Sequence, residues 1–191
     1  MQAAAREFIA KCGVPDIVIG NAGISVGTLT ELEDDAAVFR ETLETNVMGL
    51  VHTFHPFIDP MRAARRGTFV GIASVAGFRG LPGAAAYSAS KAAAISYLES
   101  LRVELHGSGV SVVTICPGFI DTPMTKKNPY PMPFILEVDD SARRMARAID
   151  AKKSFCVVPW QAAIMGRLLS ILPNGLYDRL LAGRARKPRR R

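Results

Sequence analysis

Apolar and polar positions follow two alternating patterns along the chain, and their order predicts an α/β fold. Short, nearly unbroken apolar runs are typical of parallel strands that helices cover on both faces. These runs are DIVIG at 16–20, GTFVGIAS at 67–74, VSVVTIC at 110–116 and SFCVVP at 154–159. Segments with helical periodicity lie at 2–12, 34–66, 84–107 and 139–151, and two more follow Trp160. Strands alternating with helices predict a Rossmann-like parallel sheet with flanking helices and right-handed crossovers.

The longest helical segment, 34–66, contains Pro56 and Pro60. A proline inside a helix removes a main-chain donor and crowds the preceding turn, so the far part of this helix is expected to bend or break. The chain shows no internal repeat and no interdomain linker. Residues 1–183 are therefore predicted to form one domain.

The formal net charge of +7 is concentrated at one end of the chain. Six of these positive charges belong to RARKPRRR at 184–191, which leaves the rest of the chain near +1. A nucleic-acid-binding protein is expected to carry its basic patch on a folded face. Nucleic acid is therefore not expected as a partner, and residues 184–191 are expected to be a solvated basic tail.

Cysteine usage and hydropathy favour a reduced, cytoplasmic protein. Cys12, Cys116 and Cys156 are an odd number without metal-type spacing. The N-terminus is unlike a signal peptide, and no apolar run reaches the ~18 residues of a membrane span. The stretch 164–191 combines apolar faces with basic residues and could lie on an anionic membrane surface. Packing against the domain or against a sister subunit is the favoured interpretation.

Candidate chemistry lies where the predicted strands end, because ligands of parallel sheets bind beyond the carboxyl ends of the strands. Asn21, Ala22 and Gly23 follow the first strand, and small residues there let the main chain approach a ligand closely. Ser74 follows the second strand, and PGFIDTPM at 117–124 follows the third. Taken singly, these signals are weak, and for Asn21–Gly23 an ordinary tight turn is the favoured interpretation.

Tyr87 and Lys91 stand four residues apart in the predicted helix 84–107. Such residues are neighbours on one helix face. A nearby cation lowers the pKa of a phenol, and a phenol with a lowered pKa can exchange a proton near neutral pH. The alternative is a partly exposed tyrosine beside a solvated lysine. Asn46 is an amide among apolar residues, a pattern that by itself favours a hydrogen-bonded core group.

Five motifs occur in order along the chain: NAG at 21–23, TNVMG at 45–49, Ser74, YSASK at 87–91 and PGFIDTP at 117–123. Together they resemble the short-chain dehydrogenase/reductase family over residues 2–160. The resemblance implies an oxidoreductase that uses NAD or NADP and interconverts an alcohol and a ketone. It implies roles for two groups of residues. In the catalytic group, Tyr87 is the proton donor or acceptor, and Lys91 lowers its pKa and binds the nicotinamide ribose. Ser74 holds the substrate oxygen, and Asn46 helps to hold a water. The group beside the cofactor is Asn21, Ala22, Gly23, Pro117, Gly118, Ile120 and Thr122, together with Tyr87 and Lys91.

The sequence departs from the family pattern at its N-terminal side. The family's first strands and its Gly-rich turn, T-G-x-x-x-G-x-G, have no counterpart here, and the residue that would select NAD or NADP is missing with them. The sheet is thus expected to lack three strands. A mis-set start and a genuine short product both explain this, and the activity of the 191-residue chain by itself is doubtful. An alternative function is a catalytically incompetent fragment that acts as an oligomerisation or binding module.

Two further features bear on partners. The loop 119–136 is rich in apolar residues, which fits either a hydrophobic substrate pocket or plain packing of a long loop. His52 and His55 lack further metal ligands nearby in the sequence and are interpreted as structural, so no metal is expected. The family resemblance implies a homo-oligomer, a dimer or tetramer formed through the long helix and the tyrosine helix.

Overall fold

The computed structural model describes residues 1–189 and contains a four-stranded parallel sheet. The strands are β1 (Ile17–Gly20), β2 (Thr68–Ile72), β3 (Ser111–Pro117) and β4 (Phe155–Val158). They lie side by side in the order of the sequence, with Gly20 level with Gly71 and Pro117 level with Val158. Each strand coincides with one of the four apolar runs, with β3 ending one residue beyond its run, so the predicted α/β fold with a parallel sheet is confirmed.

Seven helices connect and flank the strands. They are α1 (Gln2–Cys12), α2 (Asp35–Leu43), α3 (Gly49–Ala64), α4 (Ala85–Glu104), α5 (Val138–Asp150), α6 (Trp160–Ile171) and α7 (Asn174–Leu181). One core cluster joins the sheet to α3 and α4 through Phe54, Phe69 and Leu98. A second cluster joins Val113 and Ile115 to α5 on the other side. Within residues 1–189, no helix is both long and apolar enough to cross a membrane.

The predicted helix 34–66 was expected to bend or break at its prolines, and the structure shows no break there. Pro56 and Pro60 both lie inside α3. Phe54 and Met61 on the same helix are fully buried against the sheet. Tertiary packing of this apolar face stabilises the helix and offsets the donors that the prolines lack. The irregularity lies earlier, in a π-helical turn at Glu44–Met48 between α2 and α3.

Strand β1 was expected to be buried on both faces, and this is wrong for one face. Val18 is buried, and Gly20 leaves space that Leu50 of α3 fills. Ile17 and Ile19 on the opposite face are 46% and 50% exposed. Strand β1 forms an edge of the described sheet, and among residues 1–189 no helix covers that side of it.

The two C-terminal helices are tied to the loop that follows β2. The Arg79 guanidinium donates hydrogen bonds to the carbonyls of Leu169 and Leu172, each at 2.6 Å, and stacks 3.9 Å from the centre of the Tyr177 ring. The outward face of α6 remains apolar and exposed, at Trp160, Ile164, Leu168 and Ile171. The predicted packing against the domain therefore holds for the inner face of these helices, and contact of the outer face with a sister subunit or a membrane stays a prediction.

Candidate functional site

The hydroxyl of Ser74 bridges the ends of the two central strands. Ser74 lies two residues beyond β2, is buried, and opens a short 3₁₀ turn at Val75–Gly77. Its Oγ accepts the N–H of Ala76 at 3.1 Å and lies 3.5 Å from the carbonyl oxygen of Pro117. This second contact is at the limit of a hydrogen bond, so the hydroxyl proton is free to turn toward another acceptor.

A close contact between glycine and helix brings the start of α4 to this strand end. A Cβ atom at Gly77 would meet the main chain of Lys91 and Ala92 at 2.7–2.8 Å. Only glycine fits such a contact without a main-chain shift. The turn after Ser74 therefore packs directly on the second turn of α4, the part of the helix that carries Tyr87 and Lys91.

Lys91 is buried at this junction, with 5% of the residue's surface exposed. Its Nζ donates to the carbonyl oxygen of Ile72 at 2.8 Å and lies 5.8 Å from the centre of the Tyr87 ring. The two side chains are thus neighbours, as their spacing predicted. Burial lowers the pKa of Lys91 to about 8, and no carboxylate among residues 1–189 forms an ion pair with it.

The pKa of Tyr87 differs from the sequence-based expectation. Burial raises the pKa of this phenol above its ordinary value, and the effect that lowers it is an interaction with the Ser74 hydroxyl. The net shift is therefore opposite to the expected lowering, because removal of the phenol from water has the largest effect. The contribution of Lys91 itself stays a prediction. The interaction with Ser74 indicates that the Ser74 and Tyr87 hydroxyls are neighbours beyond the carboxyl end of β2.

Asn46 connects the loop after β1 to the tyrosine helix. Its Oδ1 accepts the N–H of Ile24 at 2.8 Å, and its Nδ2 donates to the Ile24 carbonyl at 3.0 Å and to Ser90 Oγ at 2.9 Å. Ser90 Oγ in turn donates to the main-chain carbonyl of Tyr87 at 2.8 Å. Both amide hydrogens of Asn46 are occupied, so its side chain acts here as a clamp between loop and helix. The expected role of Asn46 in holding a water stays a prediction.

The loop after β1 passes next to Asn46 and Lys91. Asn21 and Ala22 are exposed at the end of the strand. A Cβ atom at Gly23 would lie 3.3 Å from Asn46 Oδ1 and 3.5 Å from Lys91 Nζ. The glycine thus lets the main chain of this loop pass close to the ammonium group of Lys91, which is itself buried. Lys91 has donated one of its three N–H groups to protein, and the others fit ribose hydroxyls.

The residues after β3 form a folded loop beside the carboxyl ends of β3 and β4. Gly118 donates its N–H to the Val158 carbonyl at 2.8 Å, which continues the β3–β4 pairing past Pro117. Ile120 forms an isolated bridge with Leu136. Thr122 shares a hydroxyl contact of 3.2 Å with Thr125, whose own Oγ1 also donates to the Ile120 carbonyl. These contacts hold the loop in a folded turn beside the strand end.

The apolar loop beyond Thr122 borders an open groove of about 530 Å³. Phe134 contributes one side, and α6 contributes the other with Trp160, Ile164 and Leu168. Nearer to the strand ends, the rings of Phe119 and Tyr130 lie 6.4 Å apart. The apolar character expected of residues 119–136 is thus found in the walls of a groove and in a packed aromatic pair.

The C-terminal segment contacts the same region at Lys187, Pro188 and Arg189, although most of residues 184–189 are exposed as expected of a solvated tail. The carbonyl of Pro188 accepts the N–H of Gly27 at 2.9 Å, and Arg189 forms an ion pair with Asp35. The Lys187 ammonium lies 5.4 Å from the centre of the Tyr87 ring. Nothing local in RARKPRRR indicates this contact, because it depends on residues far away in the sequence. Arg190 and Arg191 lie outside the described residues.

His52 and His55 are both exposed on α3. Within the described part of the chain, no three His, Cys, Asp or Glu side chains converge as they would around a metal ion. The predicted residues that lie near the carboxyl ends of β1, β2 and β3 bring together a hydroxyl, a phenol, an amine and an amide.

Known proteins are similar to this chain in sequence and in fold. A family model described as short chain dehydrogenase matches residues 1–131. An uncharacterized oxidoreductase of Myxococcus xanthus is 43% identical over 176 residues, which cover 91% of this chain and 68% of the relative. A 3-oxoacyl-acyl-carrier-protein reductase of Chlamydia muridarum is 36% identical over 126 residues, which cover 66% of this chain and 50% of the relative. The chain thus spans about half to two thirds of the length of these relatives.

The fold similarity extends over nearly the whole chain. The crystal structure of a short chain dehydrogenase from Burkholderia cenocepacia in complex with NADP superposes with a TM-score of 0.81, over 95% of this chain and 75% of that chain. At 24% identity, this comparison supports the fold alone.

Proposed function

Because this chain belongs to the short-chain dehydrogenase/reductase family of oxidoreductases, we propose that it interconverts a ketone and an alcohol with Ser74, Tyr87 and Lys91 as its catalytic residues. The observation that carries the proposal is the meeting of the three side chains at the carboxyl ends of β2 and β3. Lys91 Nζ is anchored to the Ile72 carbonyl, and the Tyr87 phenol interacts with the Ser74 hydroxyl. Asn46 acts as a positioning residue that joins the Ile24 loop to the helix of Tyr87.

In the direction of reduction, the carbonyl carbon gains a hydride and the carbonyl oxygen gains a proton. Tyr87 donates that proton, and in oxidation it accepts the proton from the alcohol. Burial raises the pKa of the phenol, which keeps it protonated and ready to donate at neutral pH. Ser74 donates a hydrogen bond to the substrate oxygen and orients it toward the phenol, as the weak contact to the Pro117 carbonyl leaves its proton available.

A nicotinamide cofactor, NAD or NADP, supplies the hydride when it is bound. The residues that would hold its nicotinamide end are Asn21, Ala22, Gly23, Pro117, Gly118, Ile120 and Thr122. Lys91 would donate to the ribose hydroxyls through the N–H groups that it does not use on Ile72. With a pKa of about 8, Lys91 carries its charge at neutral pH and stabilises the phenolate that Tyr87 becomes after it gives up its proton.

The apolar walls beside the strand ends favour a substrate with a hydrophobic body. Phe119 and Tyr130 form one such wall, because their rings lie 6.4 Å apart and Tyr130 interacts with Tyr87. The groove between Phe134 and α6 is a second apolar surface. Apolar walls with a few polar groups at one end are the common form of a small-molecule site. The polar end here is the Ser74–Tyr87 pair.

Replacement of Tyr87 by phenylalanine tests the proposal. The ring remains and the exchangeable proton is lost, so turnover of ketones should fall by a factor of about 10²–10⁴. Oxidation of NADH and of NADPH with a panel of apolar ketones measures this, in the 191-residue chain and in a longer chain that carries a Gly-rich nucleotide-binding unit before Met1. Calorimetric titration with each cofactor reports which of the two binds.

Tyr97→Phe is the matched control, because Tyr97 lies on the same helix and is partly buried against the core. This variant should keep the turnover of the parent chain. Equal turnover in the Tyr87→Phe variant and its parent across the panel would show that the phenol is not the acid.

A further inference from the structure

Residues 184–189, termed the strap below, run from the end of α7 back to the candidate site. They pass the loop after β1, the start of α2 and the loop before α4, where Gly27, Asp35 and Gly83 lie. The strap thus contacts three separate segments on the side of the site that carries Tyr87.

The main chain of the strap fits against a glycine that has no room for a side chain. Gly27 donates its N–H to the Pro188 carbonyl at 2.9 Å. A Cβ atom at Gly27 would meet the Lys187 carbonyl oxygen at 2.2 Å and the Pro188 carbonyl oxygen at 2.8 Å. The space that a larger residue would occupy is therefore filled by the strap itself.

A buried carboxylate holds the end of the strap. The carboxylate of Asp35, a residue that is 5% exposed, accepts three hydrogen bonds of 2.7–3.0 Å from Nε and Nη2 of Arg189. The same carboxylate accepts the N–H of Leu29 at 2.7 Å. A bidentate arginine–carboxylate pair with one partner buried is among the stronger ionic contacts. This ion pair between Asp35 and Arg189 is termed the latch.

Ahead of these two attachments in the chain, two basic side chains of the strap lie close to Tyr87 and to Gly83. The Lys187 ammonium is 5.4 Å from the centre of the Tyr87 ring, a distance at which a cation is attracted to an aromatic face. The side chain of Arg186 packs on Gly83, where an added Cβ would approach it to 2.7 Å. Within residues 1–189, no ion pair joins Lys187 to a carboxylate.

We propose that the strap is a removable cover of the Tyr87 site and that the Asp35–Arg189 ion pair keeps it closed. A molecule that approaches Tyr87 from the side of Gly27 and Gly83 has to displace the strap. Since the latch is ionic, salt weakens it. The inference rests on the proposed function only where it treats Tyr87 as the reactive group, because the position of the strap can be measured without any reaction.

The first experiment opens the latch from the strap side. In the full chain, Arg189→Ala removes the ion pair and Arg189→Glu replaces it with repulsion from Asp35. Amide hydrogen exchange by NMR reports the result at Gly27, whose N–H is bonded to Pro188. Exchange at Gly27 should accelerate at least about tenfold in both variants, because a hydrogen-bonded charge pair is lost. The N–H of Thr28 should keep its exchange rate, since it is bonded to Gly83 within the body of the protein.

Arg184→Ala is the matched control. Arg184 belongs to the strap, but its Nε donates to the Leu180 carbonyl at the end of α7 and does not touch the body of the site. The exchange rate of Gly27 should be unchanged in this variant. Added salt should accelerate exchange at Gly27 in the parent chain and have little effect in Arg189→Ala, because salt screens the latch.

The second experiment displaces the strap without any change of charge. In Gly27→Ala, the new methyl group would collide with the Lys187 and Pro188 carbonyls. The rate at which tetranitromethane nitrates Tyr87, read by mass spectrometry of the tyrosine peptides, should rise several-fold relative to Tyr97. Gly175→Ala is the control, because nothing lies within 4 Å of a Cβ at that position.

The results decide between the proposal and a tail that merely rests on the surface. Faster exchange at Gly27 in both Arg189 variants, together with faster nitration of Tyr87 in Gly27→Ala, supports the cover. Equal protection of Gly27 in the parent chain and both Arg189 variants overturns the latch, and unchanged nitration of Tyr87 overturns the cover. A failure of the catalytic proposal would instead be seen as full turnover in Tyr87→Phe, so the two failures are distinguishable.

Discussion

The side chain of Asn46 forms two hydrogen bonds with the main chain of a single residue, Ile24. It accepts the N–H at 2.8 Å and donates to the carbonyl at 3.0 Å. This exchange replaces the partner that a neighbouring strand or helix would give to Ile24. Through its third bond, to Ser90, the same amide links the Ile24 loop to the helix of Tyr87. The π-helical turn at Glu44–Met48 is the local irregularity that carries this amide, in keeping with the frequent occurrence of such turns at functional sites.

Replacement of Asn46 by leucine should destabilise the protein. The polar groups of Ile24 and Ser90 would lose their partners in a region where Asn46 itself is only 2% exposed. We expect the free energy of unfolding to fall by about 1–3 kcal/mol, as measured by urea denaturation. Asn21→Leu, at an exposed position, should change it little. If both variants had equal stability, the Asn46 clamp would contribute nothing.

The low pKa of Lys91 predicts how stability depends on pH. Lys91 is charged below about pH 8 in the folded protein, whereas in the unfolded chain it keeps its proton up to about 10.5. Between these values the unfolded state binds more protons, so the contribution of Lys91 to stability rises with pH. Relative to Lys91→Met, the parent chain should gain up to about 3 kcal/mol of unfolding free energy between about pH 7 and pH 10.5. A constant difference between the two proteins over this range would contradict the lowered pKa.

Cys12 and Cys116 should differ in their reactivity toward alkylating reagents. Burial raises the pKa of Cys116 to about 12 and leaves its thiol without solvent contact, whereas Cys12 is exposed on α1. The thiolate is the reactive form. With iodoacetamide near neutral pH, Cys12 should be modified first and Cys116 only after unfolding. The Cys12→Ser variant removes the fast reaction, and rapid labelling of native Cys116 in that variant would argue against its burial.

The exposed edge strand β1 should promote self-association of the 191-residue chain. Ile17 and Ile19 present an apolar, half-exposed face beside unpaired main-chain groups, which are a template for pairing with another chain. Ile19→Lys places a charge on this strand and should reduce the associated fraction measured by analytical ultracentrifugation. The control is Ile171→Lys, at an exposed apolar position on α6. A reduction caused by Ile171→Lys alone would locate the contact on α6 instead.

The elements of the fold could be predicted because their signals are local. Apolar runs of strand length and helical periodicity report which residues share a face, and these relations hold within a few positions of the chain. All four strands and the seven α-helices of the described residues lie in the predicted segments to within three residues, with α2, the π-helical turn and α3 sharing the segment 34–66. Spacing also predicted the neighbourhood of Tyr87 and Lys91, since both stand on one helix. The continuity of α3 through Pro56 and Pro60 could not be predicted locally, because it depends on the burial of Phe54 and Met61 against the sheet.

What the sequence by itself determined was thus the order of the elements and which strand ends carry polar residues. The tertiary structure alone decided the environment of those residues. Burial raises the pKa of Tyr87 although a lysine stands four positions away, because desolvation depends on every segment packed around the phenol. The strap is the clearest case: Arg189 meets Asp35 across 154 positions of the chain. Such a contact depends on how the intervening elements fold and carries no signature in the residues that make it.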